Sequence, residues 1–411
     1  MIQQLHITNY KSLHDLSIEC GRFNVLIGEN GCGKSNVLEA IALAAAAAGD
    51  KLDNEFLVSR GIRVTEPQLM RAAFSPESQQ QPIRITVGFE NVEVLEAYTL
   101  THSNEAFAKW GVGVWWPEST QQLQAIEQKQ GEEIDYTFLS EWLMEIIDNR
   151  SRAIKDITYF CDFIVRHYPH SINTKEELEE QIRIYDDLID NKEKLQTFVI
   201  YSPENTALRN FQKEGQIEPL GINGEGLLKL LQVIHAKSPE QREEIHTSLQ
   251  LFDWYSELEI PETANYENKV TITDRYLSSV FDQRSANEGF LLVLFYIALM
   301  VSDDTPEVFA IDNIDVALNP KLCTKLIKEL IRLAKKYHKQ VFVTTHNPAI
   351  LDGIDLADDD QRLLVLSRNK QGYTRFKRIT LKDKPRSSSN EPVKLSEAFL
   401  RGYLGGLPKG F

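Results

Sequence analysis

Gly28-Glu29-Asn30-Gly31-Cys32-Gly33-Lys34-Ser35 places two glycines, a lysine and a hydroxyl at the spacing G-x-x-x-x-G-K-S. Residues of these types in this order bind the phosphates of a nucleotide. The glycines let backbone N–H groups turn inward onto a β-phosphate, Lys34 reaches toward the β- and γ-phosphates, and the Ser35 hydroxyl ligates Mg²⁺. Holding such a loop takes a strand on one side and a helix N-terminus, with its partial positive charge, on the other. Both are written into the flanks: Phe23-Asn24-Val25-Leu26-Ile27 is an apolar, β-branched run, and Val37 to Leu43 is apolar and helix-forming.

Further apolar runs end in polar residues. Val308-Phe309-Ala310-Ile311 reads as a buried strand ending at Asp312, and Gln340 to Thr345 as another ending at His346. Between them Leu322, Leu326, Ile327, Leu330, Ile331 and Leu333 recur at helical spacing, which predicts a β-α-β unit of a parallel sheet. Upstream, Asn287-Glu288-Gly289 precedes an apolar helix from Phe290 to Met300. The chain opens on a strand-like alternation, Met1 to Leu13, containing an Asn9-Tyr10-Lys11-Ser12-Leu13 turn. Together with Gly28 to Asn36 this opening resembles the SMC/RecF/OLD branch of the ABC-type ATPases, over roughly residues 1–100 and 200–367.

The resemblance implies an α/β fold, an ABC-type P-loop NTPase sheet with helices, and ATP with Mg²⁺ as cofactors. It implies that Asn30 to Asn36 surround the phosphates and that Ser35 and Asp312, a Walker B carboxylate, hold the metal. His346 corresponds to a switch histidine at the γ-phosphate. Asn287, Glu288 and Gly289 correspond to a signature loop presented to the nucleotide of the opposite subunit, hence a homodimer or higher homo-oligomer.

The chain also departs from that pattern. Asn313 stands where a glutamate normally polarises the attacking water, and an amide has no basic site for that work. Asp315 is the nearby substitute, although a strand-to-loop turn is expected to place it elsewhere. Asn287 replaces a serine, with Ser285 close by, and Ala317-Leu318-Asn319 aligns with a D-loop. Nucleotide binding is therefore expected with slow hydrolysis. No Q-loop glutamine stands out; Gln79 to Gln81 precede the strand-like Ile83 to Val87.

The remaining sequence sets organisation and partners. The expected division is 1–117 and 197–411 for the two parts of the ATPase and 118–196 for a compact helical insert, where no heptad persists long enough for a coiled coil. Trp110 to Pro117 reads as an aromatic, glycine-rich loop. A net charge of −15 over 411 residues argues against a surface that binds nucleic acid all round. The basic stretch Arg362 to Arg386, with Asp383 as its one acid, is either a local nucleic-acid patch or a solvated hairpin edge. No run spans a bilayer and no signal peptide is apparent, so a cytoplasmic location without a membrane is expected. The four cysteines show no metal or redox spacing. About 65 residues follow His346, too few for the Toprim nuclease domain of OLD proteins. The tail from Leu395 docks either on the sheet or on a partner.

The expected function is an ATP-dependent sensor or scaffold of a defence-type module, controlling a separate effector protein such as a nuclease or toxin, with DNA not required. The alternative is a RecF-like repair ATPase that turns over ATP on DNA.

Overall fold

The computed structural model describes residues 1–90, 92, 95–105, 107–115, 175–209, 220–261, 270–385 and 393–407. Most of the expected insert, residues 118–174, and Cys161 with it, lie outside the described residues.

The chain opens with the antiparallel pair β1 (Ile2–Tyr10) and β2 (Leu13–Glu19). β3 (Phe23–Gly28) then enters the glycine loop and α1 (Lys34–Ala48) leaves it. Two short helices, α2 (Asn54–Ser59) and α3 (Pro67–Met70), precede β4 (Ile83–Phe89), β5 (Leu95–Thr101) and β6 (Gly111–Trp115). β1, β2, β4, β5 and β6 form one five-stranded antiparallel sheet in the order β2-β1-β4-β5-β6. Residues 111–115, expected as part of a loop, are instead its edge strand. Val112 and Val114 alternate with Gly111 and Gly113, a period of two that suits a pleated strand.

After α4 (Lys175–Gln196) come β7 (Ile200–Tyr201) and three helices, α5 (Asn205–Arg209), α6 (Leu227–Lys237) and α7 (Pro239–Leu249). A small antiparallel sheet follows, β8 (Tyr255–Glu259), β9 (Thr271–Asp274) and β10 (Phe281–Asp282). Then α8 (Glu288–Val301), β11 (Val308–Ile311), α9 (Pro320–Lys336) and β12 (Gln340–Thr345) alternate, and the hairpin β13 (Gln361–Arg368) and β14 (Thr374–Ile379) precedes α10 (Leu395–Leu400).

The second large sheet has the order β14-β13-β3-β12-β11-β7 and is parallel except for β14. It divides two cores. Phe23, Val25 and Ile27 of β3, Phe309 and Ile311 of β11, and Val341 and Val343 of β12 face the core built with α6, α7, α8 and α9. The intervening Leu26, Ala310 and Phe342 face the other core, with α1, α4 and the five-stranded sheet. Burial on both faces explains why these strands are near-continuous apolar runs rather than alternating ones. It also leaves their carboxyl ends, Gly28, Ile311 and Thr345, at one edge, where open α/β sheets bind ligands.

The helices follow the same logic. Thirteen of the fourteen residues of α8 are buried, so it is apolar all round. α9 starts where the Asn319 side chain accepts the Leu322 N–H at 3.0 Å and Pro320 fills the first position. Small side chains at Ala44 to Ala47 let α1 bury its last turn, and Gln196 of α4 donates to the Ala48 carbonyl at 3.0 Å. The tail docks on the chain's own core: Leu395, Ala398, Phe399 and Leu404 are buried, and Ser396 donates to Asp352 through N–H (3.0 Å) and hydroxyl (2.7 Å). Among the described residues, no helix is long and apolar enough to cross a membrane.

Candidate functional site

The loop between β3 and α1 is shaped by its glycines. Gly33 sits at φ +105°, in the left-handed region, and a Cβ there would lie 2.4 Å from the Thr374 hydroxyl. Only glycine fits that conformation and that approach without strain. Lys34 is 5% exposed, and its ammonium donates to the Gly28 carbonyl (2.8 Å) and the Glu29 carbonyl (3.0 Å). Burial holds its pKa below the usual lysine value, against the opposing pull of Cys32 and of Asp312. The side chain is thus folded over the loop, satisfied by carbonyls a phosphate can replace.

Across the sheet edge, β11 delivers Asp312. Ser35 Oγ donates to Asp312 Oδ2 at 3.0 Å and lies 3.2 Å from Oδ1. The Thr344 hydroxyl, at the end of β12, also donates to Asp312 and accepts the Asn313 N–H at 2.8 Å. A hydroxyl and a carboxylate converging in this way are hard oxygen donors of the kind Mg²⁺ prefers. Ser35 and Asp312 are the residues that would hold the ion, which when bound neutralises phosphate charge.

Asn313 lies at φ +55°, a conformation asparagine tolerates better than glutamate. Asp315 does not turn away, as the strand-to-loop expectation had it. Its Oδ1 accepts from the Thr345 hydroxyl at 2.6 Å and from the His346 N–H at 3.4 Å, which brings it to the same edge. The turn after β11 is thus tied to the end of β12 through the buried Thr345 hydroxyl. His346 is exposed, with its pKa lowered by partial burial and by the Lys34 charge, while Asp315 and Asp312 pull the other way.

The Asn287-Glu288-Gly289 segment is built separately. Asn287 caps α8, its Oδ1 accepting the Phe290 N–H at 2.7 Å, so its Nδ2 remains a donor directed by the cap. A Cβ on Gly289 would sit 3.2 Å from both the Ala317 carbonyl and Leu318 Cδ2, so the start of α8 packs directly against the loop after Asp312. Arg209 of α5 steadies the approach by donating to the Gln283 carbonyl (3.3 Å) and the Arg284 carbonyl (2.5 Å). Asn287, Gly289, Ala317 and Asn319 line a cleft of about 350 Å³ together with Phe252 and Trp254. Among the described residues, no hydrogen bond joins this segment to the glycine loop.

Several residues at the site were not anticipated. Glu39 is 1% exposed within α1, and it accepts from Tyr10 Oη (3.0 Å), Lys11 Nζ (2.5 Å) and Arg63 Nε (2.5 Å). Arg63 also donates to Asn36 Oδ1 at 3.1 Å and feels the charge of Asp312. One acid inside the apolar run Val37 to Leu43 was the available signal. Gln79 serves through its backbone, its carbonyl accepting from Arg71 at 3.2 Å.

Much of the basic stretch is engaged within the chain: Arg362 with Asp359 (3.3 Å), Arg378 with Glu19 (2.8 Å), Lys377 with Asp383 (2.7 Å) and Arg368 with the Gly31 carbonyl (2.7 Å). Cys32 is buried in the loop itself, and Cys20 and Cys323 are buried elsewhere.

Residues 1–288 match the family model of the AAA ATPase domain. The fold is similar to that of an SMC head solved bound to the C-winged helix domain of ScpA, with TM-score 0.53 and 13% identity over 93% of this chain and 98% of that one. An Smc head with an extended coiled coil from Pyrococcus furiosus gives TM-score 0.48, 14% identity and coverage of 93% and 96%. The SMC head from Thermotoga maritima gives 0.45, 14%, 92% and 99%. No curated protein matches the sequence. The chain belongs to the AAA ATPase domain family, and its fold is that of an SMC head.

Proposed function

We propose that this chain binds Mg²⁺-ATP between two copies of itself and uses the nucleotide as a shape signal rather than as fuel. The observation that carries the reading is the Ser35–Asp312 pair at 3.0 Å beside Asn313. Metal donors are in place, while the neighbouring position holds an amide that cannot take a proton from water. An exposed Asn287 with its own cleft, unconnected to the chain's own glycine loop, suits presentation to a second copy's nucleotide. The γ-phosphate then favours one assembly and its loss the other, a population shift set by differential affinity.

In this reading the chain is the sensor or scaffold subunit of a defence-type module and controls a separate effector, a nuclease or toxin. Support comes from the resemblance of the Asn9 to Leu13 turn and the Gly28 to Asn36 loop to the OLD-containing branch and from the slow hydrolysis expected of Asn313. A RecF-like role on DNA is favoured by exposed Lys370 and Arg375 on the β13–β14 hairpin and exposed Lys382 just beyond it. It predicts an ATPase rate that DNA stimulates and salt suppresses.

Titration calorimetry with Mg²⁺-ATP tests the core of the proposal. Wild type is expected to bind and Lys34→Ala to show no measurable heat of binding. Undiminished affinity in that variant would remove the site. Incubation with DNA and RNA in Mg²⁺ is expected to leave both uncut, and cleavage would place the effector within this chain.

A further inference from the structure

We infer that the β13–β14 hairpin is a positioning brace for the phosphate loop, with Arg368 and Thr374 setting the direction in which its peptide groups point. The inference rests on the nucleotide-binding reading above.

Two consecutive loop carbonyls are held by this hairpin. Arg368 Nε donates to the Gly31 carbonyl at 2.7 Å, and Thr374 Oγ1 donates to the Cys32 carbonyl at 2.8 Å. A trans peptide is planar, so its C=O and N–H point to opposite sides. Pulling the Gly31 and Cys32 carbonyls outward to the hairpin therefore turns the Cys32 and Gly33 N–H groups to the other side, where a phosphate is to be held. Cys32 N–H meanwhile makes a long 3.4 Å bond to the Glu29 carbonyl, a weak partner for a phosphate oxygen to displace.

The brace is itself anchored. Thr374 N–H donates to the Ser12 carbonyl at 2.9 Å, the Thr374 and Ser12 hydroxyls lie 2.7 Å apart, and Asn36 Nδ2 donates to Ser12 Oγ at 2.8 Å. Strand β13 pairs in register with β3, Leu366 opposite Gly28, so the hairpin is fixed to the strand that feeds the loop. A segment more than 300 residues away in sequence thus sets the loop's backbone geometry. Neither residue is assigned contact with nucleotide; both act through the loop.

Thr374→Val keeps the shape and removes the hydroxyl, and Arg368→Met removes the donor from an exposed side chain whose loss leaves the core intact. Each is expected to weaken Mg²⁺-ATP and Mg²⁺-ADP binding about 3- to 10-fold, the size of one lost hydrogen bond. Unfolding midpoints should stay at the wild-type value for Arg368→Met. Thr374→Ser, which restores the hydroxyl, should recover wild-type affinity, and a role in packing alone would not be rescued that way. Wild-type affinity in both Thr374→Val and Arg368→Met overturns the brace while leaving the binding site standing. A serine variant as weak as the valine variant also overturns it. If wild type binds no Mg²⁺-ATP, the nucleotide reading and the brace fall together.

Discussion

The glycine loop and the Asn287 segment are both turns that launch an apolar helix, yet the chain treats them differently. The glycine loop is held from every side: Lys34 over its own carbonyls, Thr374 and Arg368 beneath it, and Ser35 tied to Asp312. The Asn287 segment packs on Ala317 and Leu318, follows residues held by Arg209, and borders an open cleft. Under the proposed function, one grips a ligand from this chain alone and the other is brought to a ligand held by a second copy. That asymmetry is what a composite site split between two copies requires, and a single copy can be complete as a fold while incomplete as a site.

The largest expected effect comes from separating the halves. Lys34→Ala disables the first half and Gly289→Val crowds the second, since even a Cβ there meets the Ala317 carbonyl at 3.2 Å. Each variant alone should fail to dimerise with Mg²⁺-ATP in light scattering. An equimolar mixture should form heterodimers with one intact site, the loop of the Gly289 variant facing Asn287 of the Lys34 variant. Wild type showing the same mass with and without nucleotide would break the comparison, because the second half would then have no nucleotide-dependent occupant.

How much of this was legible beforehand follows from range. The glycine loop, Asp312 and His346 lie at the ends of short apolar strands, so local pattern located them. The parallel pairing of β11 and β12 was expected from the helical spacing between their apolar runs, whereas the place of β3 beside β12 was not. What local pattern could not supply was contact across hundreds of residues. Thr374 looks like any strand threonine until β13 pairs with β3, and Arg63 looks like a loop cation until Glu39 fixes it over Asn36. The Trp110 to Pro117 stretch misled because its glycines outweighed the alternation of Val112 and Val114. Asp315 was misplaced for a related reason: the donor that turns it inward, Thr345, belongs to a different strand.

The next effect sharpens the first half alone. Asn313→Glu restores a carboxylate beside Asp312 and should raise single-turnover hydrolysis by about 10²-fold or more, the scale of general-base help. Glutamate at φ +55° is strained by roughly 1 kcal/mol, so a small fall in unfolding midpoint should accompany the gain. A wild-type rate already on the order of 10 s⁻¹, typical of enzymes, would show that another base serves, with Asp315 the first to test by Asp315→Asn.

The smallest effect reads the electrostatics of the gripping half. Partial burial and the Lys34 charge lower the His346 pKa below its ordinary 6.5, despite Asp315 and Asp312. The unfolded chain, where that restraint is absent, therefore takes up the proton first as pH falls. Stability attributable to His346 is full above pH 6.5 and is lost progressively below it, until the folded-state imidazole also titrates. His346→Gln cannot titrate and should escape this loss. Urea midpoints measured from pH 7.5 to 5.5 should converge or cross in favour of the variant toward acid. Parallel profiles would mean that Lys34 does not confine the imidazole, and that the histidine stands apart from the grip its position at the end of β12 suggests.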